Sequence, residues 1–442
     1  MSDTSRDVAV GGHAKGSSSY RCVLIALGVV GMTTFAQLYY PQALIPAISR
    51  DLDVTAADAA LTISGATIGL AGAVLGWSWV ADRFGRAPVM KIAIVASVVL
   101  GLLVPFAPSF EVLIVVRVLQ GVALGGTPAL ALTYLAEEVD RRDAMAAAGT
   151  YISGTVIGGL AGRLVAAPVA DLTDWRTGAL VVGVLSTVGA LLAVLLLPAE
   201  RHAHRHAKTQ HGSPWRGPLW TGLIANLKNP ALVILYAQAC LLMGAHVAIY
   251  NYLGYRLEQQ PFGLPPAVTA LIFLAGLSGA VSARVAGRLA SRYGRRPVLM
   301  WSSATMAAGA ALTIPDRLPT VLFGLLVFST AYFSAHSIAS GWVGPTATTG
   351  TAQATSLYTL FYYAGSSLFG WIGGLAFTLG WAGTATMAIA IVLTAFACVC
   401  TTLLGRRRLL GSGPDDDPAL RTTQPRASVR DSRPGVAAAS QQ

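Results

Sequence analysis

Two histidines, His246 and His336, and two arginines, Arg117 and Arg163, interrupt long apolar stretches of this 442-residue chain. Histidine titrates near neutral pH and can shuttle a proton. An arginine inside an apolar stretch is costly unless it pairs or faces water. At helical spacing His246 shares a face with Met243 and Tyr250, and His336 with Tyr332, Phe333 and Ser340. Carboxylates are missing from the middle of these stretches, since Asp82, Glu111, Glu137 and Glu138 all sit near ends. Such a set can hold an anion or pass a proton. It lacks the parts of an enzyme: no lysine follows a glycine, so there is no G-x(4)-G-K-[ST] phosphate loop, and H-E-x-x-H and G-x-S-x-G are absent. No cofactor and no metal site are predicted. The run Arg201-His202-Ala203-His204-Arg205-His206, with His211 beyond, reads as a solvated connector whose arginines repel a cation.

The stretches that carry these residues account for most of the chain. Hydrophobic residues make up 54% and charged residues 12%, against about 25% charged in soluble proteins. That is too little charge to coat a globular surface. A soluble enzyme, a disordered chain and a disulfide scaffold are excluded. The four cysteines, Cys22, Cys240, Cys398 and Cys400, form no C-x-x-C pair and read as small hydrophobes. A bilayer span takes about 20 apolar residues. Runs of that size lie at 22–48, 57–81, 89–107, 111–138, 145–171 and 175–198, then at 229–256, 266–290, 297–315, 318–345, 350–378 and 381–404. The pattern predicts an all-α membrane protein of twelve transmembrane helices: a tail at 1–20, a six-helix bundle at 21–198, a linker at 199–228, a second bundle at 229–404 and a disordered tail at 405–442.

Net charge is +11, and its distribution argues against nucleic acid as the partner. With the N-terminus inside, 24 of the 31 Lys and Arg fall in cytoplasmic segments, four outside and three within spans. The positive-inside rule then places both termini in the cytoplasm of a plasma (inner) membrane protein. The third, sixth, ninth and twelfth spans are nearly pure Ala, Leu, Val and Ile, which suits lipid-facing support. The first, fourth, seventh and tenth carry Gln, Tyr, Arg, Asn and His, which suits the wall of a wet cavity.

The halves also repeat. Residues 82–90 read DRFGRAPVM, and residues 291–299 read SRYGRRPVL. Each follows the second span of its half. This loop resembles the G-x-L-A-D-R-x-G-R-[RK] pattern of the major facilitator superfamily, with Ser78 for the leading Gly in one copy and Ser291 for the Asp in the other. Arg117-Val-Leu-Gln120-Gly121-Val-Ala-Leu-Gly125 is similar to the family's R-x-x-Q-G-x-G. Gly149, Gly158 and Gly162 fit its antiporter signature, but Arg163 replaces the Pro, and Ala166-Ala167 replace the last glycines. GGLAGR, ADLTDWR, FAQLYYPQALIPAI and Asn251-Tyr-Leu-Gly-Tyr-Arg256 resemble the drug and metabolite exporters of the superfamily.

The resemblance spans roughly 20–404 and implies alternating access, with a substrate site between the halves near the bilayer midplane. It implies a cytoplasmic gate of Asp82, Arg83, Gly85, Arg86, Arg292, Gly294, Arg295 and Arg296, in which the glycines supply turns with φ > 0. Arg117, Arg163, His246 and His336 are the candidates for proton coupling or buried charge. Cavity walls are assigned to Phe35, Tyr39, Tyr40 and Gln42, to Gln120, to Tyr250 and Asn251, to Tyr332, and to Tyr358 and Tyr362. The expected partners are protons, the lipid bilayer and a small amphipathic substrate, neutral or anionic, because a permanent cation would want a buried carboxylate. The chain is expected to act as a monomer. Export coupled to inward proton flow is the first reading. Uptake or facilitated diffusion without protons is the second, and a receptor without flux the third.

Overall fold

In lipid every backbone N–H and C=O must find a partner inside the protein, so apolar runs of this length fold as helices. The computed structural model describes residues 17–140, 143–198, 218–348 and 350–404, and they contain no strand. The expectations for residues 1–16, for 199–217 with their histidines, and for the tail at 405–442 lie outside the described residues. The first half holds α1 (Ser18–Tyr39), which runs into a 3₁₀ turn (Tyr40–Ala43), α2 (Ile45–Asp51), α3 (Ala56–Phe84), α4 (Arg86–Leu103), α5 (Phe110–Leu124), α6 (Pro128–Glu138), α7 (Ala144–Leu172) and α8 (Trp175–Leu196). Within the stretch read as linker, α9 (Pro218–Lys228) forms. The second half holds α10 (Pro230–Glu258), α11 (Pro266–Thr269) with a 3₁₀ stretch (Ala270–Leu277), α12 (Ser278–Tyr293), α13 (Arg295–Leu312), α14 (Leu318–Thr346), α15 (Thr351–Phe377) and α16 (Trp381–Leu404).

Counted as rods, these make twelve crossings in two six-helix bundles. Among the described residues nine rods are long and apolar enough to cross a membrane on length and composition alone. The other three have local reasons. The rod at 110–138 is broken between α5 and α6, where Pro128 has no N–H for the Leu124 carbonyl four residues back. The Thr127 hydroxyl donates to that carbonyl at 2.9 Å instead, and the Trp77 indole donates to Val122 O at 2.6 Å. Helix α13 spends its first turn on Arg295 and Arg296, and α15 is diluted by Ser, Thr, Tyr and Gly.

The two halves are copies in backbone as well as in sequence. Gly85 closes α3 with φ 90° and ψ 151°; Gly294 closes α12 with φ 88° and ψ 153°. Only glycine holds that conformation without a Cβ clash. Helix α1 packs along α7, and α10 packs along α15 in the same relation. In the first pair, Gly154, Gly158 and Gly162 face the backbones of Gly28, Met32 and Ala36 so closely that a Cβ would overlap them. Gly158 and Gly162, read from the sequence as part of an antiporter signature, belong with Gly154 to a packing seam within the first half, whereas Gly149 of that signature faces open space.

The face carrying Gly85 and Gly294 also carries the paired arginine loops and is called the basic face. The halves meet near the opposite face. There α3 packs on α15: the Ser64 hydroxyl donates to Ser367 O at 3.0 Å, and the Thr67 and Ser367 hydroxyls are 2.6 Å apart. Tyr255 OH donates to Ile45 O at 3.2 Å, and Arg50 pairs with Glu258 at 3.1 Å. Helix α7 touches the second half through Pro266–Thr269 and Ala270–Leu277. One buried core runs through this seam across both halves. Toward the basic face the first half has a core of its own, including Val23, Leu27, Met90, Ile94 and Tyr134. The halves therefore join at one end and part toward the other.

Gly158→Val is expected to destabilise the protein by about 1–3 kcal/mol or more through overpacking of α1 on α7. Gly149→Ala, with nothing within 4 Å of its added Cβ, should be neutral to slightly stabilising. Thermal unfolding of the purified protein in detergent checks both.

Candidate functional site

Arg117 and Arg163, alike in sequence, have opposite surroundings. Arg117 is fully buried behind the cavity wall, within the first half. Its Nε donates to Thr62 O at 2.7 Å, Nη1 to Gln37 O at 3.1 Å and to Gln120 Oε1, and Nη2 to Leu38 O at 3.0 Å. The geometry follows from Pro41. Lacking an N–H, Pro41 leaves the Gln37 carbonyl without its helical donor. The guanidinium supplies one and ties α1, α3 and α5 together. Gln120 continues the cluster by donating to Gln37 Oε1 at 2.8 Å and Ser97 O at 3.2 Å. The Tyr40 ring packs 5.7 Å from Arg117 and is 2% exposed. This corrects two sequence assignments: Gln120 and Tyr40 do not line the cavity. Arg117, read as a candidate for proton coupling or buried charge, is a buried charge met by carbonyls and by Gln120, because the broken end of α1 offers acceptors there.

A cavity of about 240 Å³ lies between the halves at mid-height. Phe35, Tyr39, Gln42, Tyr250, Tyr332 and Tyr362 line it, together with Arg163, His246 and His336. Asn251 and Tyr358, also assigned to the wall, stand one layer back. Asn251 accepts from Gln42 Nε2 at 2.6 Å, and Tyr358 OH lies 3.1 Å from His336 Nδ1. Met243 and Phe333, read from the sequence on the faces of His246 and His336, also line it, and Phe273, not singled out from the sequence, completes the wall. Phe273 arrives on the 3₁₀ stretch ahead of α12. The sequence placed it only within the run 266–290, and the packing of that stretch on α7 was not legible there.

Arg163 heads the cavity. Its Nε and Nη2 both donate to Gln42 Oε1, at 2.9 and 2.6 Å, and Nη1 donates to Gly159 O at 2.7 Å. The rings of Tyr39 and Phe273 lie 4.7 and 4.6 Å from the guanidinium carbon, one from each half. No Asp or Glu is among the lining residues. Below Arg163 the histidines and tyrosines form a stack. The His246 ring lies 3.9 Å from that of Tyr332, and the His336 ring 4.9 Å from that of Tyr362. Tyr332 OH donates to Tyr362 OH at 3.1 Å. Nδ1 of His246 is buried and has no partner among the described residues.

At the basic face Arg86 pairs with Asp82 at 3.5 Å and with Glu137 at 2.8 Å. Glu137, at the end of α6, is a partner that the loop motif alone did not reveal. The second copy has no Asp at the matching place. There Arg296 reaches Val399 O at 3.1 Å. Arg83 and Arg292 lie over the rings of Phe84 and Tyr293, at 5.7 and 5.2 Å. Arg295 opens α13 directly after Gly294.

Two copies of a six-helix bundle, related by matched glycine turns and enclosing a central cavity, agree with the match of residues 24–370 to the model of the Major Facilitator Superfamily. The chain belongs to the major facilitator superfamily. This transporter is 37% identical over 383 residues to an uncharacterized MFS-type transporter, YybF, of Bacillus subtilis (strain 168), a match covering 86% of this chain and 93% of that one. It is 35% identical over 397 residues to the inner membrane transport protein YnfM of Escherichia coli (strain K12), covering 89% and 93%. Among solved structures, a bacterial homolog of the human lysosomal transporter Spinster, inward-facing and occupied, superposes with a TM-score of 0.71 at 14% identity over 88% of this chain and 97% of that one. The nucleoside transporter NupG superposes with a TM-score of 0.68 at 17% identity over 87% and 100%. At those identities the likeness is one of fold. The transporter is a multi-pass membrane protein.

Arg117→Lys should cost about 3–5 kcal/mol of stability, because a compact ammonium cannot reach acceptors on three helices and leaves buried carbonyls unpaired. A drop in unfolding temperature and in yield of folded protein is the expected readout.

Proposed function

We propose that this transporter exports small amphipathic molecules, drugs or metabolites, in exchange for protons that enter the cell. The observation that carries the reading is the central cavity itself. It is walled by aromatic rings, it holds two histidines, one stacked on Tyr332 and the other hydrogen-bonded with Tyr358, and it lies under a seam that closes one face only. The basic residues favour placing the basic face and both termini in the cytoplasm, and the relative YnfM is an inner membrane protein. With that placement the present conformer faces inward. Each half completes its contacts within the chain, and the transporter works as a monomer.

The cycle follows from the geometry. A substrate enters from the cytoplasm between the parted halves and settles against the rings of Tyr39, Tyr250 and Tyr362. The seam of Ser64, Thr67 and Ser367 then opens as the halves rock, and the basic loops close behind the substrate. In the closed state Asp82, Arg83 and Arg86 would latch against the other copy, and Gly85 and Gly294 would let each loop turn without strain. In the present conformer Arg86 is instead held by Asp82 and Glu137. His246 and His336 carry the proton, linked through Tyr332, Tyr362 and Tyr358. A second reading, uptake or facilitated diffusion without protons, is favoured by the lack of any carboxylate on the cavity wall.

Proteoliposomes with an imposed pH gradient and an internal pH dye separate the two. Under export coupled to protons, adding a transported compound collapses the gradient, and the double variant His246→Gln, His336→Gln moves compound without moving protons. Transport indifferent to both pH gradient and voltage, with unchanged rates in that variant, overturns the coupling.

A further inference from the structure

A guanidinium with no carboxylate near it stands at the head of the cavity. Arg163 has five N–H groups. Three are taken, two by Gln42 Oε1 and one by Gly159 O. One N–H on each terminal nitrogen is left without a partner among the described residues. The rings of Tyr39 and Phe273 hold the plane of the group from both halves. A fork of two N–H groups at the half-buried head of a cavity is matched by a planar anion with two oxygens.

The residue that restrains Arg163 also spans the molecule. Gln42 accepts from Arg163 with its oxygen and donates with its nitrogen to Asn251 Oδ1 at 2.6 Å. Gln42 and Asn251 are 209 positions apart, the same offset that separates Gly85 from Gly294. They are equivalent residues of the two copies and meet where the copies face each other. The hydrogen-bonded chain Arg163–Gln42–Asn251 thus runs from the cavity to the seam.

We propose that Arg163 is the anion-binding residue of the cavity, that the transported molecule is a small aromatic or conjugated carboxylate, and that Gln42 passes its binding on to the seam. This rests on reading the cavity as the transport site. A carboxylate is a stronger acceptor than an amide oxygen. As it draws Arg163 away, Gln42 loses two hydrogen bonds and its hold on Asn251 weakens. An anion that binds better once Gln42 has let go shifts the population toward the state with an open seam. The cavity volume, below the range of drug-sized pockets, sets the size. The aromatic walls set the flat apolar body.

Benzoate and cinnamate, with benzamide and cinnamamide as neutral counterparts, are the probes, and calorimetry on the purified protein reads their binding. Seam opening is read by the distance between spin labels at Leu172→Cys and Leu379→Cys, two sites at the opposite face that are 86% and 80% exposed. In that background the four native cysteines are replaced by Ser. The carboxylates should bind about 10- to 100-fold more tightly than the amides, and Arg163→Ala should erase the difference. Arg163→Gln gives the same reading should the alanine variant not fold. Gln42→Ala should keep the preference for carboxylates, while its label distance no longer responds to them. Equal binding of acids and amides, a preference that survives loss of Arg163, or a wild-type distance response in Gln42→Ala each overturns the proposal. Exchange of amides and acids at equal rates in proteoliposomes defeats this inference and leaves transport standing. Carboxylate-selective binding without any exchange defeats the transport reading and leaves the anion site.

Discussion

A guanidinium in an apolar interior has to be answered by acceptors, and the architecture of this transporter turns on how two of them are answered. Arg117 is met by backbone carbonyls that Pro41 and the end of α1 set free. It becomes a permanent tie among three helices of one half. Arg163 is met by one amide oxygen and one carbonyl, and keeps N–H groups to spare. The first arginine makes the half rigid. The second leaves the space between the halves with a charge to satisfy. In the proposed cycle the tie belongs to one moving half and the spare charge to the site between the halves.

Duplication supplies the rest of the design. Backbone angles that agree within about 2° at Gly85 and Gly294 mark the same turn made twice. Residues at one offset, Gln42 and Asn251, meet each other because they occupy equivalent places in the two copies. The seam near the opposite face is built from short side chains, Ser64, Thr67 and Ser367, and the hydroxyls of Thr67 and Ser367 also bond carbonyls of their own helices. Such a contact can open without stranding a large polar group. Inside the first half glycines bring α1 and α7 backbone to backbone over three successive turns, whereas across the seam one glycine, Gly374 of α15, meets the Ala57 backbone of α3.

Much of this protein could be read before any coordinates. The bilayer imposes a length and a polarity on every span, and cytoplasmic bias imposes a side on every arginine loop. Those constraints act residue by residue along the chain, so composition and periodicity were enough for the membrane class, the two six-span halves and the duplicated loop. The fate of single polar side chains was not open to that reasoning. Arg117 and Arg163 obey the same rule of cost, and nothing in their local sequence says which faces carbonyls and which faces a cavity. Gln120 and Tyr40 looked like cavity walls because helical spacing gives a face but not what the face meets. Glu137 became a partner of Arg86 only because α6 ends beside the loop after α3.

The sequence by itself determined the solvent, the element type, the repeat and the set of polar residues available, since each follows from short-range patterns against a uniform lipid phase. Only the tertiary structure decided which of those residues share a cavity, which are consumed as internal ties, and at which face the halves touch. The reason is distance. Arg163 lies 121 positions from Gln42, and Gln42 lies 209 from Asn251. Contacts of that separation are set by how whole helices pack, which no local pattern encodes.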